Sequence, residues 1–186
     1  MTDALQTRLD QILPMITSDE VLAGRGLGNE IGFYIFEYPP AEELRLRDHL
    51  AFLRDDALPG GHPGLKVKFI DLFALVIDYL RSRRLLDTVL KTQDEKGDAA
   101  ALKVLEAPLH EERIAPFFIK EAQPDRHGLV IVHGVGKAFP LLRTHTLLNN
   151  LHHLMGGVPL VLFFPGRYDG HSLALFNRPN DKGYYR

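Results

Sequence analysis

The stretch His133-Gly134-Val135-Gly136-Lys137 holds the densest set of groups in this sequence that could do chemistry. It follows the apolar run Gly128 to Val132 and precedes a helical pattern. A glycine loop that opens a helix can aim backbone N–H groups at an anion, and a lysine beside it adds charge. Gly134, Gly136 and Lys137 are therefore candidate nucleotide- or anion-binding residues. The pattern is incomplete. A phosphate loop needs GxxxxGK[ST]. Five positions before Gly136 stands Ile131, and the magnesium-binding hydroxyl is replaced by Ala138. The dinucleotide pattern GxGxxG fails too, because Phe139 takes the third glycine position. A tight strand-to-helix turn without a bound nucleotide explains the same residues.

Other chemistries find less material. The chain has no cysteine, which removes disulfides, thiolate metal sites and cysteine nucleophiles. Zinc enzymes often place two histidines at i,i+4 on one helix face. His145 has Asn149 at that spacing, and His152 lies seven residues on. Both histidines fall on the flank of the apolar arc of Leu141, Leu147, Leu148, Leu151, Leu154 and Met155. That placement suits packing or a carbonyl acceptor better than a metal, so no metal or other cofactor is expected. The three serines are Ser18, Ser82 and Ser172. Only Ser172 has suggestive neighbours, in Asp169-Gly170-His171-Ser172. Adjacent residues on a strand point to opposite faces, so His171 cannot easily serve Ser172. Asp169-Gly170 reads as a hairpin turn. The paired carboxylates Asp19-Glu20, Glu42-Glu43, Asp55-Asp56 and Glu111-Glu112 all sit in polar or helix-start contexts, where they are solvated or favour the helix dipole. No catalytic residues are assigned.

Charge is unevenly spread along a chain whose net charge is -2. Residues 1–60 carry 5 Lys+Arg against 11 Asp+Glu, whereas residues 126–186 carry 7 against 2. A dipolar surface of this kind suits protein docking or contact with an anion. Arg143, Arg167, Arg178, Lys182 and Arg186, with Tyr168, Phe176, Tyr184 and Tyr185, offer a modest basic and aromatic set. The overall charge is wrong for a strong nucleic-acid binder, so DNA contact is expected to be weak or indirect.

The elements that must position these residues follow from the apolar periodicity. Leu5, Leu9, Ile12, Leu13 and Ile16 fall at helical spacing after a cap at Thr2 or Asp3. Ala23 to Asn29 reads as a glycine-rich loop. Strands are expected near 32–38, 65–70, 128–133, 158–164 and 172–177, the last antiparallel to its predecessor. The runs 129–132 and 160–164 have no polar residue to face water and belong in the middle of a sheet. Pro40 suits the first turn of a helix over 42–54, which Pro59-Gly60-Gly61 should end. Asp71 should cap a helix to about Ser82. Residues of about 83–121 read as a helical insert, and one helix is expected from the glycine loop to about Met155.

Strands alternating with helices argue for a three-layer α/β sandwich. It has a mostly parallel central sheet and helices on both faces, over residues 1–186 as a single domain. In outline it is like a P-loop NTPase with a degenerate phosphate loop. Sites in such sheets lie beyond the carboxyl ends of the strands. Here those are Glu37–Pro40, His133–Lys137 and Pro165–Gly170. No apolar run approaches the ~18 residues that span a bilayer, and no signal peptide is read at the N-terminus. A cytoplasmic protein without membrane contact is expected.

Four blocks in order resemble one family. They are Gly28-Asn29-Glu30-Ile31-Gly32-Phe33-Tyr34-Ile35-Phe36-Glu37-Tyr38-Pro39-Pro40, then His133-Gly134-Val135-Gly136 with Phe139-Pro140-Leu141-Leu142-Arg143-Thr144-His145, then Leu148-Asn149-Asn150-Leu151, then Pro159 to Gly166 with Asp169-Gly170 and Leu173 to Phe176. Together they resemble BrxB, a small component of the BREX bacteriophage-exclusion systems of bacteria. The resemblance spans nearly the whole chain and is weakest over the insert. It implies a role in phage defence beside a PglZ-like phosphatase, a PglX-like methyltransferase and a large ATPase. It brings no catalytic residues. It implies a non-catalytic adaptor that links the PglZ-like and PglX-like components. A degenerate nucleotide-binding subunit and an auxiliary DNA-contacting subunit are the alternatives.

Arg143 lies among apolar residues, and an arginine there needs a buried or interfacial acceptor. Carbonyls of the glycine loops, Asp169 or Glu37 are the expected acceptors. Arg143, His145 and Asp169 are thus read as structural or partner-facing.

Overall fold

The computed structural model describes residues 4–23, 32–168 and 173–177. The chain opens with three short helices, α1 (Ala4–Asp10), α2 (Ile12–Ile16) and α3 (Asp19–Leu22). Strand β1 (Phe33–Tyr38) stops at Pro39-Pro40. A 3-10 turn over Pro40–Glu42 then leads into α4 (Glu43–Phe52). This helix does not end before Pro59, as the sequence suggested. It widens into a π turn over Leu53–Ala57 and re-forms as α5 (Leu58–Gly61). Pro59 stands in the first turn of α5, directly after the π turn.

Strand β2 (Val67–Asp71) runs directly into α6 (Leu72–Ser82). The Asp71 carboxylate caps that helix by accepting from Phe73 N–H at 3.0 Å and Ala74 N–H at 3.2 Å. The insert comprises α7 (Leu86–Lys96), α8 (Asp98–Glu106) and α9 (Glu111–Ala122), which return the chain to β3 (Leu129–His133). The single helix expected after β3 is two. α10 (Val135–Ala138) is one turn, and α11 (Thr144–Leu151) follows after a break. The reason is Pro140. It disfavours the helical region for the residue before it, and Phe139 is extended, at φ -73° and ψ 137°. Strand β4 (Leu160–Tyr168) and strand β5 (Leu173–Leu175) complete the described fold.

The sheet order is β1-β4-β3-β2, all parallel, with β5 antiparallel to the end of β4. The two all-apolar strands, β3 and β4, take the central places as their sequences require. Their side chains alternate between two cores. Leu129, Ile131, Val161 and Phe163 pack with Leu5, Leu9, Leu46 and Leu50 of the N-terminal helices. Val130, Val132, Leu160 and Leu162 pack with Leu72, Val76, Phe118 and Leu147 of the later helices. Helices therefore cover both faces, and the parallel α/β architecture read from the sequence holds.

Candidate functional site

Because the four long strands run parallel, their carboxyl ends gather Tyr38, Asp71, His133 and the Pro165-Gly166 turn along one rim. On the β2/β3 side, Asp71 and His133 stand opposite each other in register. One carboxylate oxygen of Asp71 caps α6. The other accepts a hydrogen bond from the Lys137 ammonium and lies 3.9 Å from His133 Nδ1. The glycine loop is closed down on this carboxylate. Gly134 has φ +75°, and a Cβ there would stand 2.6 Å from Asp71 Oδ1. Only glycine allows both the left-handed backbone and the approach. Burial alone would raise the Asp71 carboxyl. The Lys137 hydrogen bond, the Ala74 N–H and the nearby positive charge outweigh it and hold the group below its ordinary value. Burial depresses His133. Asp71 and Glu43 oppose that shift while Lys137 and Arg54 add to it, so the imidazole stays neutral.

Gly136 approaches the other end of the rim. A Cβ there would lie 3.1 Å from the Phe176 ring and 3.3 Å from Pro165. The two glycine turns at the ends of β3 and β4 thus lie side by side, as expected of neighbouring strands. Phe176 also meets Phe139 edge-on, with ring centroids 6.1 Å apart. On the β1/β4 side, Glu37 accepts from Tyr168 N–H at 2.6 Å, and Arg8 donates to the Glu37 carbonyl at 2.6 Å. The buried Tyr38 hydroxyl donates to Glu43, which also pairs with Arg47 at 2.8 Å. Burial first, then the Glu43 carboxylate, keeps the Tyr38 phenol protonated.

Gly134, Gly136 and Lys137 are therefore brought together, but against groups of the chain itself. Arg143 is elsewhere. It is exposed at the start of α11, on the rim of a groove of about 540 Å³ whose walls include Glu106, His110, Glu111 and Leu141. Its side chain makes no hydrogen bond or ion pair with the described residues, and Glu37 is engaged by Tyr168 and not by Arg143. Among the described residues it braces no loop edge, and Asp169, one of its expected acceptors, lies outside them. His145 is half-buried on α11, and His152 packs edge-on against Phe33 with centroids 5.8 Å apart. Asp169, with the Gly170, His171 and Ser172 that follow it, lies outside the described residues, as do Arg178, Lys182, Tyr184, Tyr185 and Arg186. Arg167 and Tyr168 are exposed at the end of β4. Among the described residues no group of three His, Asp or Glu side chains is placed to hold a metal. No described helix is long and apolar enough to cross a membrane.

Sequence reasoning placed Glu37 and Tyr38 in a strand-end loop without their partners, missed Glu43 as a rim residue and read Asp71 only as a cap. The available signal was position. Glu37 and Tyr38 close β1 and Asp71 closes β2, where a parallel sheet collects its polar groups.

The family model described as BREX protein BrxB matches residues 68–186. A BREX protein BrxB of Bacillus cereus (strain H3081.97) is 37% identical over 186 residues, covering 98% of this chain and 95% of the relative. A BREX protein BrxB of Escherichia coli O9:H4 (strain HS) is 37% identical over 182 residues, covering 98% and 89%. No solved structure matches the chain.

Proposed function

The chain belongs to the BrxB family of BREX bacteriophage-exclusion proteins, and from that premise we propose that it is a non-catalytic adaptor which links the PglZ-like and PglX-like components of the system. One observation carries this reading. The strand-end rim, where a parallel sheet ordinarily takes its ligand, is filled by the chain's own groups. Asp71 lies against Gly134 and neutralises Lys137. Phe176 and Pro165 cover Gly136, and Glu37 takes the Tyr168 N–H. A phosphate approaching this loop would have to displace a carboxylate held by one ammonium and two backbone N–H groups. The loop is a structural turn that sets the β3–α10 junction.

Two measurements test the reading. Tagged chain should retain the PglZ-like and PglX-like proteins from a lysate in which all BREX components are expressed. A stand-alone preparation that retains neither overturns the adaptor. Thermal unfolding with ATP and magnesium should show no shift. Specific binding at 100 times the dissociation constant would add about 2.7 kcal/mol. A shift of that size, abolished by Lys137→Ala, would establish the nucleotide-binding alternative.

A further inference from the structure

We propose that the free edge of β2 is the docking strand of this protein, and that it takes an extended, acidic segment of a partner protein as an added strand. The proposal rests on the adaptor reading and says where that adaptor binds. The sheet ends at β2, which pairs only with β3 among the described residues. Val130 N–H donates to the Pro159 carbonyl, so the main chain of Val130 faces β4 and that of Leu129 and Ile131 faces β2. The alternation then directs the main-chain groups of Lys66, Lys68 and Ile70 toward β3. Those of Val67 and Phe69 face outward, with no strand among the described residues to receive them.

The surroundings fit one kind of occupant. Beside this edge a groove of about 230 Å³ is lined by Leu58, Pro59, Val67 and Phe69, with Arg54 and His62 also on its walls. It offers apolar contact to alternate side chains of an added strand. Lys66 is exposed and Lys68 half-buried, and neither ammonium has a hydrogen bond or ion pair among the described residues. Lysines on a sheet edge repel a basic strand and deter self-pairing. A second copy would bring the same two lysines and is disfavoured. A strand with carboxylates opposite them is not. The opposite edge is different in kind. There the outward Glu37 carbonyl is already taken by Arg8, whose guanidinium also lies 4.7 Å from the Phe36 ring centroid.

The experiment measures affinity for the BREX component that the full-length chain retains, by titration at two salt concentrations. Val67→Pro removes one outward N–H and leaves the β3 ladder untouched. Lys66→Glu with Lys68→Glu reverses the edge charge. Each should weaken binding at least tenfold with the melting temperature held within a few degrees, and the wild-type affinity should fall with salt. Should Val67→Pro unfold the chain, the charge reversal and the amide exchange of Val67 and Phe69, which slows on complex formation, still decide the matter. Unchanged affinity in the charge-reversed variant, or unchanged exchange at both amides, overturns the β2 edge while leaving the adaptor standing. A wild-type chain that retains no BREX component removes the adaptor and this proposal together. Self-association lost in Val67→Pro would show that a second copy, not an acidic partner, is the occupant, and would also overturn the proposal.

Discussion

The β1/β4 half of the sheet and the β2/β3 half end differently. At the β1/β4 end, the chain folds back on itself. The β5 strand pairs along Gly166 to Tyr168, Glu37 takes the Tyr168 N–H, and Arg8 covers the outward carbonyl of the edge strand. At the β2/β3 end, the contacts are ionic and lie at the rim. One carboxylate, Asp71, ties β2, the start of α6 and the loop after β3, while the strand edge beside it pairs with no further strand among the described residues. Backbone ties close a region for good. A half-exposed ion pair holds a loop in place without covering the strand beside it. The difference separates a half built for stability from a half with surface to offer.

The sharpest way to break the comparison is at Gly166, where a Cβ would stand 2.2 Å from the Ala174 carbonyl oxygen. Backbone cannot yield as a side chain does. Gly166→Ala should cost at least about 3 kcal/mol in urea unfolding, with loss of amide protection at Leu173 to Leu175. Gly134→Ala should cost less, about 2 kcal/mol, from the positive φ and the clash with Asp71. Part of that cost should vanish in an Asp71→Ala background, and a double-mutant cycle without coupling would show that the loop does not rest on the carboxylate. Asp71→Ala alone removes both cap hydrogen bonds and the partner of Lys137. It should lower stability by about 1–2 kcal/mol, read from the same denaturation midpoint.

The smallest expected effect is a pH dependence confined to the β2/β3 half and its neighbour α4. Burial holds the folded His133 and His49 below the ordinary histidine value of 6.5. The unfolded chain therefore binds protons first, and stability present above that value is lost as pH falls below it. Asp71, depressed below 3.8, adds a second loss at lower pH. The urea midpoint should drop between pH 7.5 and 5. His133→Gln should flatten part of that drop, and His133→Gln with His49→Gln most of it. A slope unchanged in the double variant would remove both histidines from the account.

Local patterning carried most of the architecture. The apolar runs of β3 and β4 announced their central places because no face of either strand tolerates water. Asp71 was legible as the cap of α6 because a cap acts within three residues. The candidate site was only half legible. Gly134, Gly136 and Lys137 could be marked as a loop with chemistry, but their actual partners could not. Lys137 and Asp71 are 66 residues apart, and nothing in either neighbourhood encodes the other. Arg143 shows the same limit from the other side. Its apolar neighbours suggested burial, yet the break at Phe139-Pro140 turns the following helix so that Arg143 stands exposed on a groove rim.

By itself the sequence determined which segments are strands, which faces are apolar and where a glycine turn must follow a strand. Hydrophobic period and backbone sterics are properties of a few consecutive residues. Only the tertiary structure decided that β2 is an edge, that Asp71 reaches Lys137, and that Phe176 covers Gly136. Those facts depend on the order in which parallel strands assemble across long crossovers. That order minimises exposed apolar surface over the whole chain, and no short stretch of residues reports it.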